Sequence, residues 1–343
     1  MNLKAMMNTV TTQCRTLPVV ILYVTEGCNL RCLTCSYRNP LPGELSLPEI
    51  RDLADSLGRF GLRHIVYSGG EPLMRRDFPE ICEIFAGQGV QQTLLTNGLL
   101  LKKRWDQIRG LLSEIIVSLD GPEAEIHDGI RGVESFDRIL EGIAGAREGA
   151  PLNDLAIRMV IQKRNFRFIA GMVRLALRFH VSRVSFLAAD VHSESFGRAA
   201  NGPAAPISEI ALSPGETEEF REIVEAMRPE FREQFQSGFI SESPERLLHI
   251  AQYYEAIAGR APFPDNRCNA PMVSAVISST GDVHPCFFLP SFSNIRSGSL
   301  EALLNTPEIL STRSDVRGMK LQRCTTCVCT LYVSPFKAFQ GIF

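Results

Sequence analysis

The sequence predicts an α/β protein built on a parallel sheet, with a small cysteine-bearing domain after it. Two observations carry that prediction. Between Val19 and Asp190, six strand-like runs, the first of them apolar and largely β-branched, alternate with stretches of helical periodicity, the order that parallel strands with right-handed helical crossovers require. After residue 265 the alternation gives way to a short strand, a glycine-bearing turn and two groups of cysteines. Alternation alone fits a doubly wound sheet as well as a barrel. The strand ends favour a barrel-like wall, because Cys28, Gly69, Asn97, Asp120 and Asn165 follow them, and (β/α) barrels place chemistry at that face.

Residues 1–17 carry no periodic pattern and are expected to form a loose lead-in. Strands are expected over residues 19–24, 64–67, 91–96, 114–119, 155–161 and 183–187. A helix opens at Ser46, a fitting N-cap with Glu49 three residues on and Pro48 in the first turn. Ile50, Leu53, Ala54 and Leu57 then share one face. Further helices are expected over residues 77–86, 101–112, 136–147 and 168–179. From residue 191 to 265 the pattern becomes a helical connection, with helices over 213–227 and 244–258 bounded by prolines.

A chain of 343 residues with 45% apolar content can bury a large core. Its net charge of −2 sets up no global field for nucleic acid or an anionic membrane. A basic stripe with interleaved aromatics is absent, which argues against a nucleic-acid partner. No apolar stretch approaches the roughly 20 residues that span a bilayer, and the first residues lack a secretory apolar region. Ten cysteines with ligand-like clustering then point to metal in a cytoplasmic protein more than to disulfides.

The first group is Gly27-Cys28-Asn29-Leu30-Arg31-Cys32-Leu33-Thr34-Cys35, directly after the first strand. Three thiolates in such a loop can hold three irons of a [4Fe–4S] cube and leave the fourth open. Three core cysteines on one helix face would share this spacing, but Asn29, Arg31 and Thr34 make a poor helix start. Structural zinc wants a fourth ligand, and the nearest histidine in sequence is His64. The spacing CxxxCxxC after a first strand resembles the radical S-adenosylmethionine (SAM) superfamily. That resemblance implies an open (β/α)6 TIM-like partial barrel over residues 18–190. It also implies a cluster whose open iron is chelated by SAM, and reductive cleavage of SAM to a 5′-deoxyadenosyl radical that abstracts hydrogen from substrate. The residue before the third cysteine is often aromatic in the family; here it is Thr34, with Tyr37 just beyond.

Gly69, Gly70, Glu71 and Pro72 resemble the family's second signature loop, where two glycines let carbonyls turn toward the SAM amine. Ser118-Leu119-Asp120-Gly121 resembles the fourth-strand end. Alternation sends Ser118 and Asp120 to one face, toward the SAM carboxylate or ribose, although Asp120-Gly121-Pro122 also reads as a plain turn. Arg131 is a further candidate for a carboxylate partner, with a surface position as its alternative.

Near the C-terminus, Cys268, Gly281 and Cys286 frame a predicted hairpin, and Cys324, Cys327 and Cys329 follow a short helix. This resembles the twitch or SPASM extension of radical SAM enzymes over residues 266–343, which implies an auxiliary [4Fe–4S] cluster. Cys268, Cys286, Cys324 and Cys327 are the expected ligands, with Cys329 either replacing Cys327 or spare. Four thiolates suit zinc as well. The family implies an enzyme whose auxiliary cluster assists a net oxidation or bond formation in a small-molecule or peptide substrate, fed by a flavodoxin- or ferredoxin-type donor. The alternative, a non-catalytic iron–sulfur protein for electron transfer or assembly, leaves the Gly-Gly-Glu-Pro loop and the open iron unexplained.

Overall fold

The computed structural model describes residues 2–149 and 154–343. In chain order, α1 (Leu3–Val10) precedes β1 (Val19–Thr25), α2 (Leu47–Arg59), β2 (His64–Gly69), α3 (Phe78–Ala86) and β3 (Gln91–Thr96). The alternation continues through α4 (Leu101–Ile108), β4 (Glu114–Ser118), α5 (Ala124–Arg131), α6 (Phe136–Gly149), β5 (Asp154–Ile161), α7 (Ile169–Arg178) and β6 (Arg183–Ala188). The connection carries α8 (Arg198–Asn201), α9 (Ile207–Ile210), α10 (Pro214–Glu230), α11 (Arg232–Gln236) and α12 (Pro244–Ile257). The C-terminal part holds α13 (Ala270–Val273), β7 (Ser274–Ile277), β8 (Asp282–His284), β9 (Ser293–Asn294), α14 (Leu300–Leu303), α15 (Pro307–Arg317), α16 (Gln322–Thr325) and α17 (Pro335–Gln340).

All six expected barrel strands form. The helix expected over 101–112 ends at Ile108, because Gly110 adopts φ +84° and turns the chain. The short α5, absent from the sequence reading, ends on Gly132 in the left-handed conformation. The chain divides into two compact units, residues 1–28, 38–94 and 265–343 in one and residues 29–37 and 95–264 in the other. Compactness thus groups the C-terminal cysteine region with the first strands.

In the first unit the strands run in the order β3–β2–β1–β7–β8–β9. β1 pairs in parallel with both β2 and β7, and β7 turns back antiparallel onto β8. The hairpin expected around Gly281 therefore extends the parallel sheet from β1 and is no free-standing ribbon. Gly281 sits at φ +89° in the turn. The Ser46–Glu49 capping box opens α2 and turns Ile50, Leu53, Ala54 and Leu57 inward.

The lead-in is not loose. Residues 3–10 form α1, which packs on α13 and α17. Asn8 is buried, donating to the Thr16 and Met272 carbonyls at 2.6 and 2.9 Å and accepting from the Arg15 amide. Buried Arg313 from α15 donates to the carbonyls of Pro271, Leu304 and Thr12. An eight-residue helix shows little periodicity in sequence, and these long-range polar contacts leave none.

In the second unit β4, β5 and β6 pair in parallel. Ile115, Val117, Leu155, Ile157, Met159, Val184 and Phe186 are fully buried. α10 packs on α12, and the Tyr254 hydroxyl of α12 donates to Ile161 O and accepts from Ala189 N, fixing the helix to the ends of β5 and β6.

Candidate active site and auxiliary cysteine site

In the first unit, β1 delivers the chain to Glu26, Gly27 and Cys28. The β2-end loop lies directly against this segment. Gly70 N donates to Thr25 O and Glu71 N to Gly27 O, both at 2.8 Å. A Cβ on Gly70 would stand 2.3 Å from Gly27 O, and one on Gly69, at φ +109°, 2.3 Å from Thr25 O. The two glycines are thus demanded by backbone-to-backbone approach, whatever ligand their carbonyls serve. Glu71 is fully buried and caps the turn through Pro72, accepting from Leu73 N at 3.0 Å. Cys28 N donates to Arg38 O, closing the base of the cysteine loop.

In the second unit, the segment 29–37 carries Cys32 and Cys35. It is held on the C-terminal end of α5, where Arg31 N donates to Arg131 O and Leu33 N to Ile130 O. These bonds satisfy the last carbonyls of the helix. Asn29 accepts from Asn97 Nδ2 at 2.8 Å. On another side, Ser36 N donates to Phe196 O, Ser36 Oγ to Gly202 O and the Cys35 thiol to Phe196 O. That part of the connection is braced by a buried Arg198–Asp190 ion pair. Tyr37 is buried against Gly197. Cys28, Cys32 and Cys35 are all half-exposed free thiols.

Arg131, with surface exposure as its alternative in the sequence, is largely buried. Its Nε stands 2.7 Å from Asp120 Oδ2, and its Nη1 donates to Cys32 Sγ at 3.7 Å. Burial by itself would lower the Arg131 pKa; Asp120 and Cys32 more than offset it, so the guanidinium stays charged. Asp120 spends its other oxygen on Val160 N at 2.9 Å. Its position is therefore no plain turn: it aims Arg131 at Cys32. The carboxylate expected to meet ribose is engaged by the chain itself. Ser118 is half-buried at the end of β4.

His127 is fully buried and accepts from Asp120 N through Nδ1. Burial, then the Arg131 charge, holds its pKa down to about 3, so the ring is neutral. Sequence reasoning also missed Gly132 and the brace from residues 190–202. The αL glycine after an eight-residue segment was the one available signal.

At the C-terminal end, Cys268, Cys286, Cys324, Cys327 and Cys329 lie close enough to feel one another's charge. Three of their sulfurs receive backbone N–H groups: Cys268 from Ala270, Cys286 from Phe288 and Leu289, and Cys327 from Cys329. Asn266 ties this group together by donating to the carbonyls of Cys324, Thr325 and Cys327. Asn269 pairs with both backbone groups of Val333. Burial pushes the Cys286 and Cys324 thiols up to about 11, so these sulfurs ionise only when a metal supplies positive charge. Among the described residues no three Cys, His, Asp or Glu side chains converge as ligands of a single ion. Cubane ligands bind separate irons and stand further apart. The five C-terminal thiols, three of them receiving backbone N–H groups, form a soft donor set that fits an iron–sulfur cluster; in the first loop Cys32 receives the Arg131 guanidinium.

Residues 22–163 match the radical SAM superfamily, and residues 268–328 match SPASM, an iron–sulfur cluster-binding domain. An Fe-coproporphyrin III synthase of Methanosarcina barkeri is 34% identical over 175 residues, 49% of this chain and 43% of that protein. Mycofactocin maturase MftC of Mycobacterium tuberculosis is 32% identical over 166 residues, 46% of this chain and 41% of the relative. The chain thus matches less than half the length of each of these two relatives. SuiB of Streptococcus suis, solved bound to precursor peptide SuiA, superposes with a TM-score of 0.61 at 17% identity over 88% of this chain and 67% of that one. This likeness shows the α/β partial-barrel fold; the C-terminal iron–sulfur domain rests on the SPASM match.

Proposed function

Because the chain belongs to the radical SAM superfamily and carries a SPASM domain, we propose that it is a biosynthetic enzyme that cleaves SAM reductively to oxidise or cross-link a small molecule or peptide. Cys28, Cys32 and Cys35 hold the SAM-binding [4Fe–4S] cluster; Cys268, Cys286, Cys324 and either Cys327 or Cys329 hold an auxiliary [4Fe–4S] cluster. When bound, the clusters and SAM would supply one-electron sulfonium cleavage, a hydrogen-abstracting carbon radical and an electron acceptor. A flavodoxin- or ferredoxin-type protein would provide the first electron. No described helix is long and apolar enough to cross a membrane.

The chain's own part is positioning. Gly70 and Glu71 hold the start of the cysteine loop through backbone bonds, Gly69 permits the close approach, and Pro72 fixes the turn. Asp120 aims Arg131 at Cys32, where a permanent positive charge favours the thiolate that iron needs. Ser118 offers a hydroxyl to the ligand. One relative is named for an iron porphyrin and another as a mycofactocin maturase, and SuiB was solved with a precursor peptide, so both substrate classes stand. The single observation that carries the proposal is the three-thiol loop after β1, braced on α5 and faced by Arg131. Anaerobic reconstitution should load about eight irons as two cubanes, and dithionite with SAM should yield 5′-deoxyadenosine. Cys32→Ala should abolish that product; its formation at the wild-type rate would sink the cluster assignment. Four irons with one zinc would keep the radical chemistry and remove the auxiliary cluster.

A further inference from the structure

The C-terminal group offers more thiols than one cubane binds, and they differ in depth. Cys324 is buried with Leu289 and Val316; Cys268, Cys286 and Cys327 are half-buried; Cys329 is exposed. Only Val328 separates Cys327 from Cys329. The chain bends there, so that Cys329 N donates to Cys327 Sγ at 3.3 Å. The bend is anchored on both sides. Asn266 holds the carbonyls of Cys324, Thr325 and Cys327, and Asn269 is bonded to Leu331 and Val333. Two residues of extended chain span roughly 7 Å, and a bend shortens that into the Cα separation of about 4.4–6.8 Å that a disulfide needs. Cys286 is also within electrostatic reach of both thiols. Its sulfur, however, is held by the Phe288 and Leu289 N–H groups and packs on the Leu289–Val316 cluster. The N–H on Cys327 suits an iron-bound thiolate, which puts Cys327 in the fourth ligand position and Cys329 beside it.

We propose that Cys327 and Cys329 are a thiol oxidation site: in the cluster-free chain they close to a disulfide that withholds Cys327 from iron until it is reduced. The inference rests on the auxiliary cluster proposed above. Exposed Cys329 is the thiol that meets the oxidant. With a disulfide oxidant such as oxidised glutathione, the Cys329 thiolate attacks one sulfur and the first glutathione thiolate leaves. Cys327 then attacks the mixed disulfide at Cys329 and expels the second glutathione. Two protein thiols thereby give up two protons and two electrons, and oxidised glutathione becomes two molecules of glutathione. With iron on Cys327 the second attack has no nucleophile, so the pair stays open in the loaded enzyme.

The test treats the iron-free full chain with oxidised glutathione, alkylates the remaining thiols and maps the cysteines by peptide mass spectrometry. The peptide carrying Cys327 and Cys329 should be unalkylated and lighter by two hydrogen atoms. Reconstitution with iron and sulfide after this oxidation should load about half the iron of reduced wild type, and dithiothreitol should restore the rest. Cys329→Ser, oxidised in the same way, should load as much iron as reduced wild type. Any of four results overturns the inference: alkylation of both thiols, a lasting glutathione adduct on Cys329, a Cys286–Cys329 disulfide, or loss of iron from Cys329→Ser without any oxidation. Failure of the auxiliary-cluster reading would look different, as reduced wild type that takes up no second cluster, and the peptide map reads independently of it.

Discussion

At the scale of single residues, the ligand side of the cysteine loop depends on groups that never touch a ligand. His127 is the clearest case. Its neutral ring accepts the Asp120 amide, and Asp120 in turn aims Arg131. With the folded pKa held at about 3 and the ordinary value near 6.5, the unfolded chain binds a proton first as pH falls. His127 therefore contributes its full stabilisation above pH ~6.5 and loses about 1.4 kcal/mol for each pH unit below that, down to about pH 3. Ring resonances of His127 in iron-free, diamagnetic protein should show no titration between pH 8 and 5. A midpoint near 6.5 would mean that the ring is solvated and the Asp120 contact is not formed.

At the scale of elements, α5 works as a clamp for residues 31–33, and its closing residue has no freedom. Gly132 sits at φ +71°, and a Cβ there would stand 2.5 Å from Arg31 O, a backbone atom of the clamped segment. Gly132→Ala combines left-handed strain of about 1 kcal/mol with displacement of that segment. It should lower both the melting temperature and the iron retained per chain. Gly129 in the same helix meets only the Arg164 side chain, at 3.9 Å. Gly129→Ala should raise stability by up to about 1 kcal/mol through helix propensity and leave iron content unchanged. Equal effects of the two substitutions on iron would show that α5 is an ordinary helix with no hold on the loop.

At the scale of the whole molecule, the two cysteine groups divide the labour proposed above. Without the auxiliary group, SAM should still be cleaved, but substrate oxidation should stall for want of an electron acceptor. Cys286→Ala is thus expected to form 5′-deoxyadenosine with little oxidised product. A purely structural cluster would lower solubility and thermal stability while leaving the ratio of product to 5′-deoxyadenosine at its wild-type value. That ratio, taken on soluble, folded variant with substrate present, separates the two roles.

Much of this was legible in the chain alone. Apolar β-branched runs locate β1 to β6 because a buried strand needs little beyond its own side chains. Cysteine spacing marks Cys28, Cys32 and Cys35 as one candidate donor set and Cys268, Cys286, Cys324, Cys327 and Cys329 as another, because clustered thiolates suit iron–sulfur clusters. What the sequence could not determine depends on partners distant in sequence. α1 is held by Asn8 against Met272, and the Arg313 guanidinium by carbonyls from three separate segments. The pairing of β7 with β1 joins strands some 250 residues apart. Arg131 reads as a surface arginine until folding brings Asp120 and Cys32 beside it. Periodicity records which face a residue occupies, and composition records what it can do. Only tertiary packing decides which groups meet, because a buried charge or amide is positioned by what remains to satisfy it.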